Sequence, residues 1–357
     1  TINASLLTSC ISTLEKIILE DGTDFTIDRG AFKNSNLTSL TIPYGVTNLI
    51  IDEYALNGSN LASLTIPDSV TNLTIGDYAF GLYQSLTSLT IPNSVTDLTI
   101  GSYAFSTCGL TSLEIPNSIT DLKIGSYAFS DCSNLTSLTI PYGVTDLTIG
   151  SYAFYKCVNL TSLTIPNSVT NLTIGSYALS FCALTSLTIP YGVTDLTIGG
   201  GGVFSGSQYL TSLTIPDSVT NLTISDNAFS SCAHLTSLEI PGSVIDISGI
   251  SDNAFSSSYL KLVTIPDPDT ANRMLNVLYY NNTDMYGDNE CINIINKILE
   301  AAPPISDDGN YTFDLSGISP VITSDNLKIT NNPNTRWIVK FYGGKKYKWN
   351  GSIWEQI

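Results

Sequence analysis

Five cysteines recur at matching places along the chain: Cys108, Cys132, Cys157, Cys182 and Cys232. A column of thiols can ligate a metal, form bridges or supply a nucleophile, and each option has its own spacing requirement. Ser35, Ser59, Ser207, Ser258 and Tyr83 fill the same position elsewhere; exchange with Ser marks a small, mostly buried slot. Stacked at the strand spacing, the Cβ atoms would stand about 4.8 Å apart, slightly too far for a relaxed disulfide. Seven cysteines without a C-x-x-C pair also lack zinc spacing. The expectation is a column of free thiols, with no metal and no cofactor.

Catalysis finds no better footing. Any Ser-His-Asp arrangement would have to use His234, the one histidine, which sits beside a repeat leucine with no distinctive neighbours. The run Gly199-Gly200-Gly201-Gly202 is no phosphate loop; it falls where a unit is one residue longer, and reads as a bulge. Asn48, Asn72, Asp97, Asp121, Asp146, Asn171, Asp195, Asn221 and Asp246 form a further column. Stacked Asp97, Asp121 and Asp146 would repel one another, which a cation would relieve, but exposed, solvated carboxylates are the plainer account. The chain is expected to be no enzyme.

Two sets of residues remain as ligand-binding candidates. Ser88/Thr90, Ser137/Thr139 and Ser162/Thr164 belong to S-x-T ranks that should project from one flat sheet. Thr is a good surface strand residue, so the ranks have a structural explanation as well. The second set is the aromatic tail: Trp337, Tyr342, Tyr347, Trp349 and Trp354. Aromatic faces stack on sugars, yet the same residues could form the core of a small β module.

Repetition positions all of these residues. Ile-Pro recurs ten times from Pro43 to Pro266, at intervals of 24–26 residues. Each unit carries one pattern twice, as L-T-S-L-T-I and then V-T-D-L-T-I, so each should hold two short strands. Leu86, Leu89, Ile91, Val95, Leu98 and Ile100 alternate inward. One unit cannot bury them alone, and neighbours must stack. Pro92 ends the first strand because it lacks an N–H; Gly101 closes the second, and Phe105 heads a recurring core column. The fold class is mainly β: a leucine-rich-repeat solenoid of about ten 24–26-residue units with two parallel sheets, helical caps and a small C-terminal β module.

Four regions follow. Residues 1–24 form an N-terminal cap, because Leu6, Leu7, Cys10, Ile11, Leu14, Ile17 and Ile18 have helical spacing. Residues 25–270 are the solenoid, and 271–302 a second helical cap in which Cys291, Ile294, Ile295, Ile298 and Leu299 repeat that spacing. Residues 303–357 are a small β-rich module, with Trp349 and Trp354 flanking an Asn350-Gly351 turn. The chain carries net charge −17, while the stretch from Pro303 onward is positive by one. Such a balance argues against nucleic acid or an anionic membrane as partner. No apolar stretch approaches the roughly 18–20 residues of a membrane span, so no membrane insertion is expected. The opening at Thr1 without Met fits a removed leader or a longer N-terminal region.

The run L-T-S-L-x-I-P-x-S-V-T-x-L-x-I-G-x-Y-A-F-x-x-C-x-x-L resembles the BspA-like leucine-rich repeats over about Phe25 to Asp267. It departs from them by about two extra residues per unit, the added L-T that gives a fuller second strand. The resemblance implies surface-exposed adhesion to a host protein or glycan, with no catalytic residues to carry over. The ending K-Y-K-W-N-G-S-I-W-E is similar to short terminal strands of phage tail and virion proteins, which implies display on a virion or a cell surface. Two alternatives stand beside this reading. One is a structural spacer or decoration protein whose partners are other virion or surface-assembly proteins. The other is an ice-binding solenoid, since the S-x-T ranks resemble T-x-T arrays, although Glu114 and Glu239 interrupt them.

Overall fold

The computed structural model describes residues 23–251 apart from 62, 83, 236, 242 and 245–248, with residue 254 and several strand segments besides. Those segments are Lys16–Ile18, Leu262–Thr264, Tyr311–Asp314, Trp337–Lys340, Lys346–Trp349 and Trp354–Gln356. The chain winds into a parallel β-solenoid of stacked coils, and no helix occurs among the described residues. The inward Leu and Ile of each strand are buried while their neighbours face solvent, as in Asp121–Ile124 and Asp146–Ile149. Alternation at period two puts every second side chain on the core face.

The second strands of the units make one continuous sheet. Nine of them, from Asp24–Ile27 to Asn221–Ile224, lie side by side in chain order. Their register is unbroken: Leu147 stands opposite Leu122 and Leu172, and Ile149 opposite Ile124 and Ile174. Threonines ahead of the strands add rungs, as where the Thr145 hydroxyl donates to the Thr120 carbonyl at 3.3 Å.

The first strands behave differently, and the expectation of one flat S-x-T sheet is corrected. Ser137–Thr139 pairs with Ser162–Thr164, and Ser186–Thr188 begins a separate four-stranded sheet ending at Leu262–Thr264. Ser88–Thr90 pairs with Ser112–Glu114, and among the described residues single bridges through Thr65 link it back to Thr41. Loop length gives the reason. The loop Cys108-Gly109-Leu110 is one residue shorter than Cys132-Ser133-Asn134-Leu135, and Cys182-Ala183-Leu184 is short in the same way. Both sheet breaks adjoin a strand fed by a short loop. The short loop draws the chain toward the preceding coil, on the paired side, so closely that a Cβ on Gly109 would lie 2.1 Å from the Gln84 carbonyl oxygen.

The return segment Gly-x-Tyr-Ala-Phe closes each coil by bonding to the next. Tyr103 N donates to Ser126 O at 2.9 Å and Phe105 N to Ala128 O at 2.7 Å. The rings of Phe80, Phe105, Phe129 and Phe154 stack at 5.2 Å in the core, fully buried. Burial of each such ring is worth roughly 2–3 kcal/mol. Leu179 interrupts the column before Phe204 and Phe229 resume it at 5.1 Å.

At the N-terminal side the helical cap expected over residues 1–24 is corrected where its helical spacing ends. Lys16–Ile18 is a strand, paired in parallel with Ser39–Thr41. Its Ile17 and Ile18 fit a strand because β-branched residues suit a pleated sheet, and the neighbouring first strand supplies a partner. The other residues of that helical pattern, and the helix expected over 271–302, lie outside the described residues. In the stretch 303–357 the described strands form one four-stranded sheet, parallel at Tyr311–Asp314 with Trp337–Lys340 and antiparallel thereafter.

Candidate ligand-binding face

The cysteine column is a hydrogen-bonding device. Cys132, Cys157, Cys182 and Cys232 are buried free thiols whose Sγ atoms donate to Phe105, Phe129, Phe154 and Phe204 carbonyls at 2.9–3.2 Å. Ser207 donates to the Leu179 carbonyl at 2.8 Å in the same way, which explains the Cys/Ser exchange. Burial pushes the thiols of Cys108, Cys182 and Cys232 up to about 12, so they are poor nucleophiles. His234 is exposed, its Nδ1 donating to the Gln208 carbonyl at 2.6 Å. The glycine run is a bulge, with positive φ at Gly200, Gly201 and Gly202.

The Asn/Asp column forms partial ladders along the continuous sheet. Asn171 and Asn221 donate amide hydrogens to Asp146 and Asp195 at 2.5 Å, and those bonds hold both carboxyls below their ordinary values. In the run of three aspartates, Lys123 reaches Asp121 at 3.4 Å and the Thr96 and Thr145 hydroxyls donate to Asp97 and Asp146. A side-chain cation therefore sits where a bound one was conceivable.

The predicted hydroxyl residues all point outward. Ser88, Thr90, Ser137, Thr139, Ser162 and Thr164 are exposed. The structure brings Ser137, Thr139, Ser162 and Thr164 together on one strand pair, with Ser88 and Thr90 on another across the break. At that break lies a cleft of about 450 Å³, lined by Ser112, Glu114, Asn117, Ser137, Thr139 and Tyr142 among others. Sequence reading treated Glu114 as an interruption and passed over Tyr142; the Pro-Tyr-Gly phrase was the signal for the latter. In the tail, Trp349 stands opposite Trp354 in register, Trp337 opposite Tyr311, and Tyr347 opposite Val339 and Gln356. Tyr342 lies outside the described residues.

A second feature went unread in the sequence. Tyr54, Tyr78, Tyr103, Tyr127, Tyr152 and Tyr177 stack ring on ring at 4.5–4.9 Å along the return segments. All six hold positive φ, between 53° and 58°. That conformation costs a bulky residue roughly 1–2 kcal/mol. Gly30 and Gly202 occupy the equivalent position beyond each end, and Lys33 lies 4.3 Å over the outermost ring, Tyr54. The rings spend their faces on one another, so this ladder offers edges and hydroxyls rather than stacking platforms.

The repeat matches a known family. The family model for the BspA type leucine rich repeat region matches in six copies, over residues 1–123, 49–173 and 147–285. Among solved structures, a leucine-rich repeat protein from Bacteroides ovatus is 26% identical, covers 72% of this chain and 74% of its own, and superposes with a TM-score of 0.47. A leucine rich cell surface protein from Faecalibacterium prausnitzii is 24% identical, with coverages of 69% and 73% and a TM-score of 0.41. The pneumococcal vaccine antigen PcpA is 20% identical, with coverages of 76% and 75% and a TM-score of 0.37. No curated protein matches. With repeat, core column and strand pairs in place and the family model spanning most of the chain, the protein is a member of the BspA-type leucine-rich repeat family.

Proposed function

We propose that the protein is a non-enzymatic adhesion or receptor-binding protein, displayed on a surface, whose contact face is the broken first sheet. The observation that carries the reading is the cleft at the break, where Glu114, Asn117, Ser137, Thr139 and Tyr142 converge. A carboxylate, an amide, two hydroxyls and an exposed ring are the groups that bind a host glycan or a polar protein surface. Membership of a repeat family built as binding scaffolds supports it, as does a core whose thiols are committed to carbonyls. Membership of the family supports display on a cell surface; display on a phage particle rests on the tail phrases alone. The ice-binding alternative requires a flat, unbroken hydroxyl array, and the segmented S-x-T face lacks that regularity.

The test is binding of the full chain to intact host and bacterial cells, with the double variant Ser137→Lys/Thr139→Lys filling the cleft. Loss of cell binding in a variant that melts like the native protein supports the face; undiminished binding removes it. The tail offers a second contact, because the register sets Trp349 against Trp354. If Trp349→Ala/Trp354→Ala alone abolishes binding, the tail is the recognition module and the solenoid its arm. If the native protein binds no cell, the structural-spacer reading takes precedence.

A further inference from the structure

The turn after each Ile-Pro comes in two principal versions. Five of the ten units carry Asn or Asp followed by Ser, at Asp68, Asn93, Asn117, Asn167 and Asp217, whereas three carry Tyr followed by Gly, at Tyr44, Tyr142 and Tyr191. In two of the serine turns the hydroxyl ties one coil to the previous one, Ser118 donating to the Val95 carbonyl at 2.5 Å and Ser218 to the Val193 carbonyl at 2.8 Å, while Ser69 accepts from Gly45 N and the buried Ser94 and Ser168 hydroxyls make no such bond. The tyrosine version gives that bond up. A Cβ on Gly143 would stand 2.1 Å from the Asn117 carbonyl oxygen, so only glycine fits. The tyrosine gains no burial in exchange: Tyr44, Tyr142 and Tyr191 are 78%, 76% and 69% exposed.

These turns are held in place all the same. Tyr142 N donates to Asn117 Oδ1 at 3.1 Å, and Tyr191 N to Asn167 Oδ1 at 3.4 Å. The second strands that these turns feed, Asp146–Ile149, Asn171–Ile174 and Asp195–Ile198, pair without a break at about 4.8 Å, so Tyr142 and Tyr191, two units apart, are separated by roughly 10 Å. Asn167 lies between them with its Nδ2 left to donate. Tyr44 is four units before Tyr142, roughly 20 Å away on the same spacing. One unit of rise is close to the advance of one sugar in an extended β-linked chain, and two units bring the same face of such a chain around again.

We propose that this corner binds an extended, neutral, β-linked polysaccharide, with Tyr142 and Tyr191 stacking on alternate sugars and Asn167 hydrogen-bonding the sugar between. The adjoining cleft adds the Glu114 carboxylate and the Ser137 and Thr139 hydroxyls as partners for ring hydroxyls. Neutrality follows from charge: the chain carries −17, and Asp68 and Asp217 stand in the same turn column, so an acidic glycan is repelled. An α-linked chain coils and falls out of step with the units. The inference rests on the adhesion reading above and names the class of its ligand.

Full-length protein is titrated calorimetrically with cellohexaose and chitohexaose, with cellobiose, maltohexaose and a sulfated hexasaccharide as comparisons. The proposal expects a β-linked hexasaccharide to bind more tightly than the other three. Tyr142→Ala and Tyr191→Ala each weaken it about tenfold, as loss of 1.4 kcal/mol of stacking would, while Tyr→Phe at both sites keeps the affinity. Binding of neither β-linked hexasaccharide, equal binding of maltohexaose, or an unchanged affinity in the double alanine variant overturns it. The same proteins on intact cells separate the two readings. Undiminished cell binding by the double alanine variant leaves adhesion standing without the polysaccharide, whereas a native protein that binds neither cells nor sugars ends both.

Discussion

Two columns of tyrosine run along this solenoid, and they differ in what their rings touch. In the return segments Tyr54 through Tyr177 occupy six consecutive units and stack at 4.5–4.9 Å. At the turns, Tyr44 stands four units before Tyr142 and Tyr142 two before Tyr191, with Asn or Asp turns between, and all three remain mostly exposed. Repetition in every unit makes an aromatic a neighbour of its own copies and consumes its faces. Repetition in alternate units leaves the faces free. The same residue type therefore supports the fold in one column and is available for contact in the other.

The comparison is broken most severely at the glycines that set the coil spacing. A Cβ on Gly125 would stand 2.5 Å from the Gly101 carbonyl carbon, backbone that cannot give way. Gly125→Val should cost about 3 kcal/mol or more and lower the melting temperature while separating the rungs on either side. Next in size, Tyr127→Ala removes two ring stacks and should cost about 2 kcal/mol in chemical denaturation. Tyr127→Asn should cost less, because Asn tolerates the left-handed conformation and occupies it at Asn227. At the turns, Tyr142→Ala should leave the melting temperature within the range of an ordinary surface change, about 0.5 kcal/mol.

Alkaline pH sharpens the contrast for the ladder and the thiols. Burial raises the phenols of Tyr78, Tyr103, Tyr127 and Tyr152 above 10.0, and pushes Cys108, Cys182 and Cys232 up to about 12 from 9.0. Each group holds its proton more tightly folded than unfolded. The stability linked to it is complete below the unfolded value and lost as pH climbs through the folded one. The melting temperature should hold at neutral pH and fall from about pH 9 toward pH 12, and substitution of Cys182 with Ser should soften that fall.

Much of this was legible in the chain because it depends on period and side-chain type. Ile-Pro located the first strands, the Val-Thr-x-Leu-x-Ile phrase the second, and the Phe and Cys columns fell where their exchange partners placed them. The Trp349 and Trp354 hairpin followed from Asn350-Gly351. Other features depend on context that periodicity does not carry. Lys16–Ile18 sits in a stretch whose apolar residues have helical spacing, yet it has a strand partner in space. The sheet breaks follow from a one-residue difference between loops, visible in Cys108-Gly109-Leu110 but silent until coils are stacked. Tyrosine is a poor left-handed residue, so nothing in Ser-Tyr-Ala-Phe announces a ladder with positive φ.

The most direct test compares the two columns in one assay: binding to intact cells by the native chain, by Tyr142→Ala/Tyr191→Ala and by Tyr103→Asn/Tyr127→Asn, each with its melting temperature. The account predicts that the turn variant melts like the native protein and loses binding, while the ladder variant melts lower and, below its melting point, binds as the native protein does. Lost binding in the folded ladder variant, with binding retained by the turn variant, would contradict it.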